Sequence, residues 1–139
     1  MVDYQKLEEY QRLLDTFKTI GATVYYYALK VETIYVTQGI ERIFGCTKQQ
    51  FNKDYWEKAL HPEDKDRFRK WKEQLLASKE LSNAQYRIIR RGNEDRWIEE
   101  HITPVISVFG ELEGFLGLLV DITDRKELEQ KVEYMAFHD

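Results

Sequence analysis

Carboxylates are the most plentiful reactive groups in this chain, and their spacing argues against catalysis. Glu99 and Glu100 are adjacent in what reads as a strand. Strand neighbours point to opposite faces, so the two cannot serve one substrate as acid and base. Glu111 and Glu113 add carboxylates but belong to no nucleophile–base constellation. His61, His101 and His138 share no short spacing of the kind that metal ligands adopt, so no metal is expected. The single cysteine, Cys46, has no disulfide partner in the chain and reads as a small apolar packer. The seven glycines are spread among turns and make no phosphate loop. The expected chemistry is therefore recognition, and the chain is not expected to be an enzyme.

The elements that would position such groups follow from periodicity. Leu7, Tyr10, Leu14 and Phe17, widened by Leu13 and Ile20, form an amphipathic helical stripe over residues 1–20, with Gly21 as its stop. Residues 23–29 and 33–37 are rich in β-branched and aromatic types and read as two strands joined by Lys30-Val31-Glu32. Between them and Pro62, Ile40, Ile43, Phe44 and Phe51 suggest short helical turns. Pro62 opens a helix with Glu63, Asp64 and Asp66 in its first turn, where the helix dipole favours acids. Phe68, Trp71, Leu75 and Leu76 are its buried stripe, ending near Ser78. Strands follow at 84–90, 96–108 and 112–122, with turns at Gly92-Asn93 and Gly110. A last helix starts at Thr123 or Asp124 and carries Leu128, Val132 and Met135 at 4- and 3-residue steps. This order predicts an α+β domain: a five-stranded antiparallel sheet with helices on one face, flanked by N-terminal and C-terminal amphipathic helices. The expected division is 1–20 helix, 21–123 domain, 124–139 linker helix.

At 139 residues the chain holds one domain with its flanking helices. A net charge of −4, a pI near 5.5 and the lack of a basic tract give no electrostatic case for nucleic acid or acidic lipid. No run of about 18 apolar residues is present, so no direct membrane insertion is expected. Residues 1–6 lack the apolar core of a signal peptide. With one cysteine, the expectation is a reducing cytoplasm, with any membrane anchor of the parent upstream of Met1.

Four segments resemble one family in the right order. Residues 113–123, Glu-Gly-Phe-Leu-Gly-Leu-Leu-Val-Asp-Ile-Thr, run without a loop into Asp124-Arg125-Lys126-Glu127-Leu128-Glu129-Gln130. This resembles the end of a PAS sensory domain, where Asp-Ile-Thr joins the last strand to the helix that drives an output domain. Residues 36–47 are similar to the passage from the second PAS strand into the first PAS helix. Leu60-His61-Pro62-Glu63-Asp64-Lys65 resembles the family's His-Pro-Glu-Asp entry to its long helix. Residues 86–99 resemble the strand–turn–strand that follows, with Gly92-Asn93 where the family usually places Asp-Gly. Both pairs tolerate positive φ, so the hairpin is expected to survive.

The resemblance covers roughly residues 20–125 and implies the PAS fold. It also implies a sensory, signal-transduction role: binding a small ligand or mediating dimerisation, and regulating an output domain in cis. Glu133-Tyr134-Met135-Ala136-Phe137-His138-Asp139 resembles the lead-in to a GGDEF diguanylate cyclase, so a parent in cyclic di-GMP signalling is expected. The alternatives are a ligand-free PAS interaction module and the sensor of a histidine kinase. The cofactor is unknown. A flavin photosensor of this fold needs a reactive cysteine near the position of Trp56; none is there, and Cys46 lies well before it. Haem is also disfavoured, because His61 sits at a helix start, His101 on a strand and His138 in the output helix.

Alternation on the last strand places Phe115, Gly117, Leu119 and Asp121 on one face, and Leu116, Leu118, Val120 and Ile122 on the other. In flavin-binding PAS relatives a pocket glutamine falls at Leu119, which turns the first set inward, together with Ile88, Ile98, Glu100 and Ile102. The candidate ligand pocket is therefore Tyr26, Tyr35, Ile88, Ile98, Glu100, Ile102, Phe115 and Leu119; a simply filled core is the alternative. A buried Glu100 needs a hydrogen-bonding partner, which tyrosines of the first two strands can supply. The outer row needs cover, from this chain or from a partner. The candidate dimer interface is Leu7, Leu14, Phe17, Leu118 and Val120, and a homodimer is expected. Signal transfer is assigned to Asp121, Ile122 and Thr123, with Asp121 anchoring the junction.

Overall fold

Tyrosine, valine and threonine crowd β1 (Ala22–Ala28) and β2 (Thr33–Val36), where their bulky side chains favour an extended backbone. A computed structural model describes residues 4–16 and 22–138. Three further strands follow: β3 (Ser82–Arg90), β4 (Glu94–Ile106) and β5 (Leu112–Asp121). All pairings are antiparallel in the order β2-β1-β5-β4-β3, so the last strand lies at the centre of the sheet. The α+β fold predicted from the sequence is the one observed. β3 and β4 each begin two residues before the expected limits, because Ser82 still pairs with Ile102 and Arg90 with Glu94, and β4 ends at Ile106, two residues short of the expected end. Their turn puts Gly92 at φ 98° and Asn93 at φ 62°, the positive values that this pair was expected to tolerate.

The inner face of the sheet is covered by α2 (Ile40–Phe44), α3 (Lys53–Ala59) and α4 (Lys65–Ser78). Ile43, Phe44, Trp56 and Leu75 from these helices share one core with Ile88, Ile98 and Leu119 from the strands. The start of α4 differs from expectation: residues 62–64 form a turn, and the helix begins at Lys65. Asp64 does not cap the helix with its side chain. It is buried instead against edge strand β3, accepting from Arg87 N at 2.7 Å, Nε at 3.1 Å and Nη2 at 2.9 Å. Burial pushes the Asp64 carboxyl up, but the Arg87 hydrogen bonds and charge outweigh it and hold it below its ordinary value. Tertiary ion pairing has overridden the local dipole reading.

On the opposite face, α1 (Tyr4–Thr16) lies over β1 and β2. Leu7 and Gln11 are buried there, and Tyr4 donates to the Val36 carbonyl at 2.6 Å. Gln11 accepts from Thr37 Oγ1 at 2.5 Å. Phe17, Ile20 and Gly21 lie outside the described residues, as do the side chains of Tyr10, Leu13 and Leu14. The last helix, α5 (Thr123–His138), leaves β5 after a single intervening residue.

Candidate functional site

The site is built around Glu100, whose side chain on β4 is fully buried. Three donors meet it. The Tyr25 hydroxyl from β1 and Lys72 Nζ from α4 donate to Oε2, the lysine at 2.5 Å, and the Tyr86 hydroxyl from β3 donates to Oε1 at 2.8 Å. Tyr86 in turn accepts from Trp56 Nε1 at 3.2 Å. Burial, followed by the Glu100 charge, holds both phenols well above their ordinary pKa, so they stay protonated as donors. Burial pulls Lys72 down, and the Glu100 charge opposes that fall. Three elements thus converge on a carboxylate carried by a fourth.

Register explains how Tyr25 gets there. It pairs with Gly117 on β5, and an added Cβ at Gly117 would lie 2.0 Å from the Tyr25 ring. The bare glycine lets the ring cross β5 to reach β4. Beside this network lies a cleft of about 630 Å³ between the sheet and α3–α4, walled by Tyr27, Trp56, Phe68, Ile102 and Phe115. Lys72 lines it, with its ammonium 4.7 to 5.9 Å from the ring centroids of Trp71, Trp56, Phe68 and Tyr25.

The predicted pocket residues separate into three groups. Ile102 and Phe115 line the cleft. Ile88, Ile98, Leu119 and Glu100 do point inward but are fully buried behind it. Tyr26 and Tyr35 are corrected: they pair with each other on the outer face, where the Tyr35 ring meets that of Tyr4 at 6.4 Å. Tyr25 and Tyr27 take the inner positions instead. A triple tyrosine hides its own alternation, so sequence could not decide which of the three points inward.

Lys72, Tyr86 and Trp56 were missed. Lys72 had a readable signal: Phe68, Trp71, Lys72 and Leu75 stand at i, i+3, i+4 and i+7, so a cation sits within the buried stripe.

At the end of β5, Asp121 finds the partner that the sequence left open. Its Oδ2 accepts from Arg96 Nε at 2.9 Å and Nη2 at 2.8 Å. Its Oδ1 accepts from Thr123 N at 3.0 Å and Thr123 Oγ1 at 2.6 Å. Thr123 Oγ1 also accepts from Trp97 N at 2.9 Å, and Ile122 is buried. The three residues predicted to link strand and helix are therefore brought together. Arg125 and Lys126 then hold the first turn of α5 to the outer face, through Glu99 at 2.7 Å and over the Trp97 ring at 5.0 Å. Of the predicted interface, Leu7 is buried by its own chain, while Leu118 and Val120 are half-buried.

Residues 33–119 match the family model described as PAS fold. Over 102 residues the chain is 29% identical to an uncharacterized protein of Sinorhizobium fredii, an alignment covering 68% of this chain and 12% of that protein. The chain spans only 12% and 10% of the length of the curated relatives it matches. A sensory box histidine kinase/response regulator structure from Burkholderia thailandensis superposes with a TM-score of 0.73 at 20% identity, covering 91% of this chain and 94% of that one. The N-terminal domain of a diguanylate cyclase with PAS/PAC sensor from Marinobacter aquaeolei gives 0.71 at 21% identity, covering 76% and 98%. At these identities the likeness to both structures is one of fold.

Proposed function

The chain belongs to the PAS fold family, and from that premise we propose that it is the sensory module of a longer signalling protein. The observation that carries this reading is the continuity from cleft to helix. Lys72 faces the cleft and holds Glu100 on β4; Glu100 is paired with Leu119 on β5; two residues further, β5 ends in the Asp121–Arg96 pair and α5. A ligand that moves Lys72 would thus act on the strands that set the start of α5. Leu128, Val132 and Met135 are exposed on α5 and can pair with the same helix of a second copy, whose register the sheet sets.

The output we propose is a diguanylate cyclase in cis. The likeness of residues 133–139 to a cyclase lead-in supports it, as does the fold shared with the N-terminal domain of the Marinobacter diguanylate cyclase. A histidine kinase is the second reading, favoured by the Burkholderia match. Among the described residues no helix is long and apolar enough to cross a membrane. Together with a lone buried cysteine, this supports placing the module in the cytoplasm. The test uses the longer protein that carries this chain, assayed for cyclic di-GMP formation from GTP and for autophosphorylation from ATP. Cyclic di-GMP supports the first reading and phosphotransfer the second; neither product would remove both. Output that is unchanged in an intact-folding Asp121→Ala variant would remove the junction from the mechanism.

A further inference from the structure

We infer that the cleft receives a small organic monoanion, a carboxylate carried on a flat apolar body, with Lys72 and Lys53 as its charge partners. The assignment rests on the sensory reading above and adds the chemical class of the ligand. Glu100 is 0% exposed and Lys72 28%, so the ammonium, not the carboxylate, is what a solute in the cleft meets. An ammonium has three N–H donors. Among the described residues only one acceptor engages Lys72, Glu100 Oε2. Glu100 keeps two phenolic donors of its own, so it remains satisfied if Lys72 turns partly toward a ligand.

Lys53 supplies a second cation. It lines the same cleft, 5.6 Å over the Tyr27 ring, and has no carboxylate partner among the described residues. Its charge is near enough to disfavour the charged form of Lys72. Two ammonium groups lining one cleft repel a cationic ligand. A neutral apolar ligand would cover Lys72 without offering an acceptor to its remaining N–H donors.

The walls define the rest of the molecule. Tyr27, Trp56, Phe68 and Phe115 offer rings, and about 630 Å³ accommodates a body of small-ligand size. The rim carries both signs: Glu32, Glu57 and Glu73 are exposed there beside Arg69, Lys65 lines it too, and Asp54 is paired with Lys58 at 3.0 Å. Inside, Lys72 stands among rings, so one negative charge finds its match there, whereas a polyanion such as a nucleotide would bring further charges against apolar walls.

The test is calorimetric titration of the 139-residue chain with three probes of like shape: phenylacetate, 2-phenylacetamide and phenethylamine. Phenylacetate is expected to bind at least tenfold more tightly than the amide, and the amine not at all. Lys72→Met should bring phenylacetate down to the amide's affinity. Should that variant fail to fold, Lys53→Met, at an exposed position, should still weaken phenylacetate severalfold and leave the amide unchanged. Equal binding of acid and amide, indifference of phenylacetate to the lysine replacements, or no binding by any probe would each overturn the assignment. None of these results bears on the Asp121→Ala output assay, so the sensory reading stands or falls separately.

Discussion

A Cβ built on Gly117 would sit 2.0 Å from the Tyr25 ring, within the space that ring occupies on its way to Glu100. Gly117→Ala is therefore expected to displace Tyr25, break its hydrogen bond and cost about 3 kcal/mol. Urea denaturation measures this, and a loss below about 0.5 kcal/mol, the range of neutral surface changes, would show that the ring has another route. Glu100 itself is a buried charge whose cost is met by Lys72 and two phenols. Glu100→Ala strands the Lys72 ammonium among aromatic rings and should destabilise by about 3–5 kcal/mol, as loss of one partner of a buried pair does. Glu100→Gln keeps the shape but turns an amide NH₂ toward one of three donors, and should cost about 1–3 kcal/mol. A Glu100→Gln variant as stable as the unaltered chain would show that the charge at this site contributes nothing beyond shape and hydrogen bonding.

Among the elements, α5 carries the most legible dependence on pH. Hydrogen bonds from Arg125 and His101 hold the Glu99 carboxyl down from its ordinary value of 4.5 to about 2. The folded protein therefore binds this proton less tightly than the unfolded chain does. Its stabilisation is complete above pH 4.5 and fades as pH falls toward about 2. Because Arg125 is the first-turn contact of α5 with the sheet, amide exchange in that turn should quicken over the same window. Glu99→Gln should flatten the dependence, and an identical pH profile for the variant and the unaltered chain would exclude Glu99 as its source. Asp121→Ala acts at the same junction by a different route. It removes the acceptor shared by Arg96, Thr123 N and Thr123 Oγ1, with an expected cost of about 1–3 kcal/mol and a frayed start to α5. Circular dichroism and exchange at residues 123–126 report it.

At the scale of the whole molecule, self-association remains the governing proposal. Leu128, Val132 and Met135 are 62%, 58% and 66% exposed in the single chain, and Leu118 and Val120 are half-buried. Light scattering should give a mass above that of one 16.8 kDa chain, reduced when residues 1–20 are deleted. A monomer at high concentration would leave α1 as an intrachain cover only, the role in which Leu7 is already buried. The sequence by itself determined the element order, the α+β class and the sorting of Phe115, Gly117, Leu119 and Asp121 onto one face of β5, because periods of 2 and 3.6 residues are local properties of a chain; the resemblance to flavin-binding PAS relatives then turned that face inward. It also marked Glu100 as a buried acid in need of a partner. Only the tertiary structure decided which partners arrive. Tyr25 was chosen over Tyr26 by the pairing of β1 with β5 opposite a glycine, and Arg96 was chosen for Asp121 by the β4–β5 register. Asp64 was drawn from a helix start to Arg87 on an edge strand. Lys72 met Glu100 across 28 positions of sequence. Contacts between elements depend on how those elements dock, and no local periodicity carries that information.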